Sequence, residues 1–143
     1  MGFKLSGNKR AYLLNLRGGY KKLDFVFGNG TDADSSCSVQ WRNQFYIFGG
    51  SSQEQQVSMV NGNRLERKAT LDFKFQEGGC TVLNEQTIVL CFGGSPWKVC
   101  QKLSHPLGSS TVTPITHYDH RYTRIAGFNG KNEICSQKFK TIL

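Results

Sequence analysis

The chain is a succession of short apolar runs separated by glycine-rich and polar turns. Ser38-Val39-Gln40-Trp41 alternates polar and apolar, Arg42-Asn43 is a tight polar turn, and Phe45-Tyr46-Ile47-Phe48 is apolar without a break up to Gly49-Gly50. This pattern predicts a hairpin whose second strand is buried. A second hairpin is predicted from Gln56 to Val60, a turn at Asn61-Gly62-Asn63, and Arg64 to Phe73 with Leu65, Leu71 and Phe73 as its apolar positions. Asn-Gly supplies residues that tolerate the positive φ of a two-residue hairpin turn. The two hairpins make one four-stranded antiparallel unit.

The unit recurs. Phe48-Gly49-Gly50-Ser51 returns as Phe92-Gly93-Gly94-Ser95 after 44 residues, Cys37-Ser38-Val39 as Cys80-Thr81-Val82 after 43, and Leu23-Asp24-Phe25-Val26-Phe27 as Leu71-Asp72-Phe73-Lys74-Phe75 after 48. Three anchors in one order at near-equal spacing indicate duplication. The second copy predicts strands at Cys80–Leu83, Thr87–Phe92, Trp97–Cys100 and around Ser110–Thr113. A degraded third copy leads from Tyr118–Arg124 into Ile125–Gly130 and Glu133–Lys138, with Ala126-Gly127 in place of the glycine pair. Upstream, Ala11–Leu16 and Lys22–Phe27 match a third-and-fourth-strand hairpin.

Four-stranded units at this period, with large apolar strands ending in Gly49-Gly50 and Gly93-Gly94, resemble the blades of Kelch-repeat β-propellers. The resemblance implies an all-β fold of about three blades, a partial propeller over 1–143: a half blade at 9–30, blades at 37–76 and 80–113, and a partial blade at 116–143. In this reading Gly49, Gly50, Gly93, Gly94 and Gly127 are structural, freeing the exit from each buried strand. Trp97 follows Gly94 too closely for the family's usual tryptophan, and the first unit has neither that tryptophan nor the usual tyrosine. WD-repeat propellers fit less well, since the chain has no Trp-Asp or Gly-His pair. Propellers close with roughly 4–8 blades, so the expectation is a piece of a longer protein or self-association that completes the ring.

The resemblance implies a non-catalytic protein-binding module, an adaptor or scaffold that presents loops on rigid blades. Asp32, Asp34, Ser52, Gln53, Pro96 and Trp97, with the stretch 104–110, mark the candidate contact loops. The alternative is a diverged propeller of a secreted oxidase-like or glycan-handling protein.

Composition and charge narrow the picture. A hydrophobic fraction of 38% with 20% charged residues, and 16 Gly against 3 Pro, describe a globular chain. The formal charge of +8 opens the surface to anionic partners. The basic residues, however, are scattered singly or in pairs, such as Lys9-Arg10, Lys21-Lys22 and Arg67-Lys68, which argues against nucleic acid. The amino end lacks the apolar centre of a secretory signal, and no run of about 20 apolar residues implies a membrane-spanning helix. The compartment is cytoplasmic or extracellular, and the N-glycosylation acceptor pattern Asn29-Gly30-Thr31 mildly favours the second.

Candidate chemistry is sparse, and neither a metal nor a cofactor is expected. His117-Tyr118-Asp119-His120 would put its two histidines on opposite faces of a strand; His105 lies apart, before Pro106. Asp32-Ala33-Asp34 lacks the glycine and distal glutamate of a calcium loop, and no nucleophile elbow or phosphate loop occurs. Five cysteines, Cys37, Cys80, Cys91, Cys100 and Cys135, show no zinc-ligand spacing. Cys91 reads as core packing. In an oxidising compartment Cys80 and Cys91 could meet across their hairpin, or Cys91 or Cys100 could pair between strands.

Overall fold

The structure, a computed structural model, describes residues 2–6, 10–14, 19–23, 35–51, 53–62, 64–94, 97, 99–107, 110–112, 124–128 and 131–137, with the strands outside 35–107 given by their course and register. Among these residues it is all-β. Thirteen strands run in chain order: β1 (Gly2–Ser6), β2 (Arg10–Leu14), β3 (Tyr20–Leu23), β4 (Cys37–Trp41), β5 (Gln44–Phe48), β6 (Gln56–Asn61), β7 (Arg64–Thr70), β8 (Gly79–Asn84), β9 (Thr87–Cys91), β10 (Cys100–Ser104), β11 (Ser110–Val112), β12 (Arg124–Phe128) and β13 (Lys131–Gln137). They form four antiparallel meanders, β1-β2-β3, β4-β5-β6-β7, β8-β9-β10-β11 and β12-β13. The first strands of successive sheets lie side by side, β4 against both β1 and β8, and β8 against β12 as well.

Turn chemistry sets the register. Trp41 pairs with Gln44, leaving Arg42 and Asn43 at φ 50° and 61°, the double left-handed turn whose twist matches antiparallel strands. Asn61 pairs with Arg64, and Gly62 after it has φ 56°. At the β8–β9 turn, Asn84 Oδ1 accepts a hydrogen bond from the Gln86 amide at 2.9 Å.

The continuous apolar strands are buried on both faces. From β9, Ile88 and Leu90 join Tyr46 and Phe48 of β5, Val57 of β6 and Leu103 of β10 in a core between the two four-stranded sheets. Val89 and Cys91 point the other way and pack with Phe92, Cys100 and Leu83. Each such side chain contributes about 1.5–3 kcal/mol of transfer free energy.

Several predicted boundaries move. The amino-terminal sheet has three strands from Gly2, where a hairpin over 9–30 was expected. β10 begins at Cys100, because the Phe92 amide bonds to the Val99 carbonyl at 2.9 Å and holds Trp97 in a loop. β7 stops at Thr70: Leu71 N–H turns to Gln55 O at 2.8 Å, and the Gln55 side-chain amide takes the Leu71 carbonyl at 3.0 Å. Gly127 lies within β12 at a register shift against β13.

The glycine pairs converge on a single segment. Residues 71–78 cross from β7 to β8, and Phe75 is buried there between the two sheets. Gly50 N–H bonds to Phe75 O at 3.0 Å, and Gly94 N–H to Gln76 O at 3.0 Å. A Cβ on Gly49 would stand 1.9 Å from the Phe75 carbonyl oxygen, and one on Gly93 would stand 2.4 Å from the Phe75 ring. The two pairs nevertheless differ in conformation. Gly49 and Gly50 both have positive φ, whereas in the second copy Phe92 and Gly94 do and Gly93 does not. Freedom at the strand exit therefore explains the first pair; at Gly93 the requirement is space for an aromatic ring.

Both disulfides lie within the described core. Cys37 of β4 joins Cys80 of β8, linking the same position of the two copies across neighbouring sheets. Cys91 joins Cys100 across the β9–β10 pair. The pairing of Cys80 with Cys91 is excluded by the first bridge; pairing between strands at Cys91 and Cys100 is found.

Candidate ligand groove

β4 and β8 run side by side from the Cys37–Cys80 bridge to their hairpin turns, and at the turn end an open cavity of about 770 Å³ separates the two. Gln40, Arg42 and Asn43 form one wall, Asn84 and Glu85 the other, and Trp41 and Val82 supply the apolar lining. Except for these last two, the lining residues are solvent-exposed.

Trp41 fixes the distance between the walls. Its ring is 2% exposed, packed edge-on against Tyr46 at 5.6 Å and against His105 at 5.8 Å. Its Nε1 donates to the Glu85 carbonyl at 3.1 Å, across the groove. Behind it, the His105 amide bonds to Gln86 O at 3.0 Å and brings the residues after β10 to the same end. A bridge at one end of β4 and β8 and a hydrogen bond at the other hold the groove as a preformed feature.

The lining chemistry is that of recognition. Three carboxamides, each both donor and acceptor, stand with one guanidinium and one carboxylate. Among the described residues the ion pairs are Lys68–Glu66 and Lys74–Glu54, both at 2.7 Å, so neither Arg42 nor Glu85 is in an ion pair there. Of the described titratable groups only Glu66 shows a resolved shift. Its side chain is 39% exposed, and hydrogen bonds from Lys68 and then Asn61 hold its carboxyl below the usual carboxylate range. Three or more His, Cys, Asp or Glu side chains that could hold a metal ion do not come together among the described residues.

Of the sequence-derived contact residues, Gln53 and Trp97 lie at the other end of the strands. Gln53, in the β5–β6 connection, and Trp97, in the β9–β10 connection, are both half-buried beyond the glycine pairs. Asp32, Asp34, Ser52 and Pro96 fall outside the described residues, as do His117, Asp119 and His120. Of the stretch 104–110, His105 backs the groove through Trp41. The groove itself escaped the sequence reading: Arg42-Asn43 and Asn84-Glu85 are legible as turns, but nothing along the chain places two turns 42 residues apart face to face. The available signal was the repeat, which puts both turns at one position of the unit.

No protein-family model matches the chain, and no curated protein matches it either.

Proposed function

We propose that the chain is a non-catalytic protein-binding module, built as a Kelch-like propeller segment, and that it engages its partner at the turn end of β4 and β8. The observation that carries this reading is the groove: a preformed cleft of exposed amide and charged side chains between two hairpins, braced by Trp41 and by the Cys37–Cys80 bridge. Rigid strands presenting polar turns are a common way to build a recognition surface. Support for the propeller comes from the meander order of the sheets, their first strands lying side by side, and the duplicated Phe-Gly-Gly exits. The two disulfides favour an oxidising compartment.

Site-specific photo-crosslinking tests the reading. A photoreactive residue at Gln40, in the groove, is expected to capture a defined protein partner from native extract. The same residue at Lys68, on the outer strand β7, or at Gln53, at the opposite end, is expected to capture little. Equal capture from all three positions, or none at Gln40, overturns it.

A further inference from the structure

We propose that the groove takes an extended peptide segment of the partner carrying one acidic and one basic side chain, the acidic one seated on Arg42 and the basic one on Glu85. The inference rests on the protein-binding reading above and specifies its ligand. Arg42 and Glu85 belong to turns of neighbouring sheets and line opposite walls of one cavity. Two opposite charges, unpaired with each other across the gap, complement a ligand that bears both signs. The planar guanidinium of Arg42 suits a carboxylate, which it can grip with two parallel hydrogen bonds.

Size and lining agree with a peptide. The volume of about 770 Å³ falls within the roughly 300–1,000 Å³ of ordinary ligand pockets. Gln40, Asn43 and Asn84 offer side-chain amides, which match the donor and acceptor pattern of an extended main chain. A sugar would want an aromatic plate beneath its ring. Trp41, the one aromatic among the described lining residues, is 2% exposed and spends its N–H on Glu85 O, so it offers no such face. The chain's net charge of +8 further favours approach by a segment of acidic surroundings.

The test uses fluorescence anisotropy with synthetic Gly-Ser peptides carrying one Asp and one Lys at varied separations and in both orders, and an uncharged Gly-Ser peptide as control. Wild-type protein is expected to bind one arrangement of charges above the control. Arg42→Glu and Glu85→Lys are each expected to weaken that binding about tenfold, because each sets like charges together. The double reversal R42E/E85K is expected to restore binding with preference for the opposite order of Asp and Lys. Both side chains are exposed, and thermal melts establish that the variants fold. Binding no better than the control, reversals without effect, or wild-type binding to a glycan array in place of the peptides overturns the proposal. If the peptides fail while crosslinks from Gln40 persist, the peptide inference falls and protein binding stands.

Discussion

The side chain of Gln101 holds the main chain of Phe73 at both of its polar atoms: its Oε1 accepts the Phe73 amide at 3.0 Å and its Nε2 donates to the Phe73 carbonyl at 3.2 Å. Gln101 is 2% exposed in β10, and Phe73 lies in the crossover between the two four-stranded sheets. A single buried amide thus completes the hydrogen bonding of a segment that neither sheet pairs with. Gln101→Met, close in shape but without polar atoms, is expected to cost about 1–3 kcal/mol by stranding the Phe73 groups. Urea unfolding measures it; a loss below about 0.5 kcal/mol, the range of neutral surface changes, would show that water replaces the clamp.

Gly49 and Gly93 make opposite predictions when Phe75 is trimmed. At Gly93 the obstacle to a Cβ is the Phe75 ring, so Gly93→Ala is expected to destabilise the wild-type chain and to add little further loss alongside Phe75→Ala, which removes every ring atom. At Gly49 the obstacle is the Phe75 main-chain carbonyl, and φ is +59°, so Gly49→Ala is expected to destabilise equally in both backgrounds. Double-mutant cycles from chemical denaturation distinguish the two; equal coupling at both positions would contradict the packing described.

The two disulfides close loops of very different size, 43 and 9 residues of separation. Chain-entropy arithmetic assigns roughly 4 kcal/mol to the first and roughly 3 to the second. Replacing Cys37 and Cys80 together by Ala is therefore expected to lower stability more than replacing Cys91 and Cys100. Thiol titration of the denatured, unreduced protein is expected to count one thiol, from Cys135, and five after reduction. A count of five without reduction would remove both bridges, and with them the argument for an oxidising compartment.

Glu66 gives a pH-dependent signature on β7. Hydrogen bonds from Lys68 and Asn61 favour its charged form and lower its folded pKa. A depressed carboxylate pKa contributes stability above the unfolded value and loses that contribution as pH falls through the folded one. Its carboxyl carbon is expected to titrate by NMR below the ordinary glutamate range, and to move toward that range in Lys68→Met, with the Asn61 hydrogen bond retaining part of the shift. An unshifted titration would show that the exposed pair does not persist in solution.

Much of the architecture was legible because it is local. The apolar runs Phe45–Phe48 and Ile88–Phe92, the turns at Arg42-Asn43 and Asn61-Gly62-Asn63, and the recurrence of Phe-Gly-Gly placed most strands of the two central sheets, since strand period and turn chemistry act over a few residues. Where a distant group decides, the sequence was silent. β7 stops at Thr70 because Gln55 takes the next main-chain groups, and β10 starts late because Phe92 bonds across its loop to Val99.

The repeat by itself determined which positions are equivalent: the cysteines Cys37 and Cys80, the glycine pairs, and the turns 42–43 and 84–85. Only the tertiary structure decided what equivalence leads to. Setting the first strands of neighbouring sheets side by side joins Cys37 to Cys80, presses Gly93 onto the ring of Phe75, and turns two hairpin ends into the walls of one groove. The physical reason is that these contacts span more than 40 residues of chain for the bridge and the groove, and depend on how two sheets stack, a relationship that no pattern within either sheet encodes.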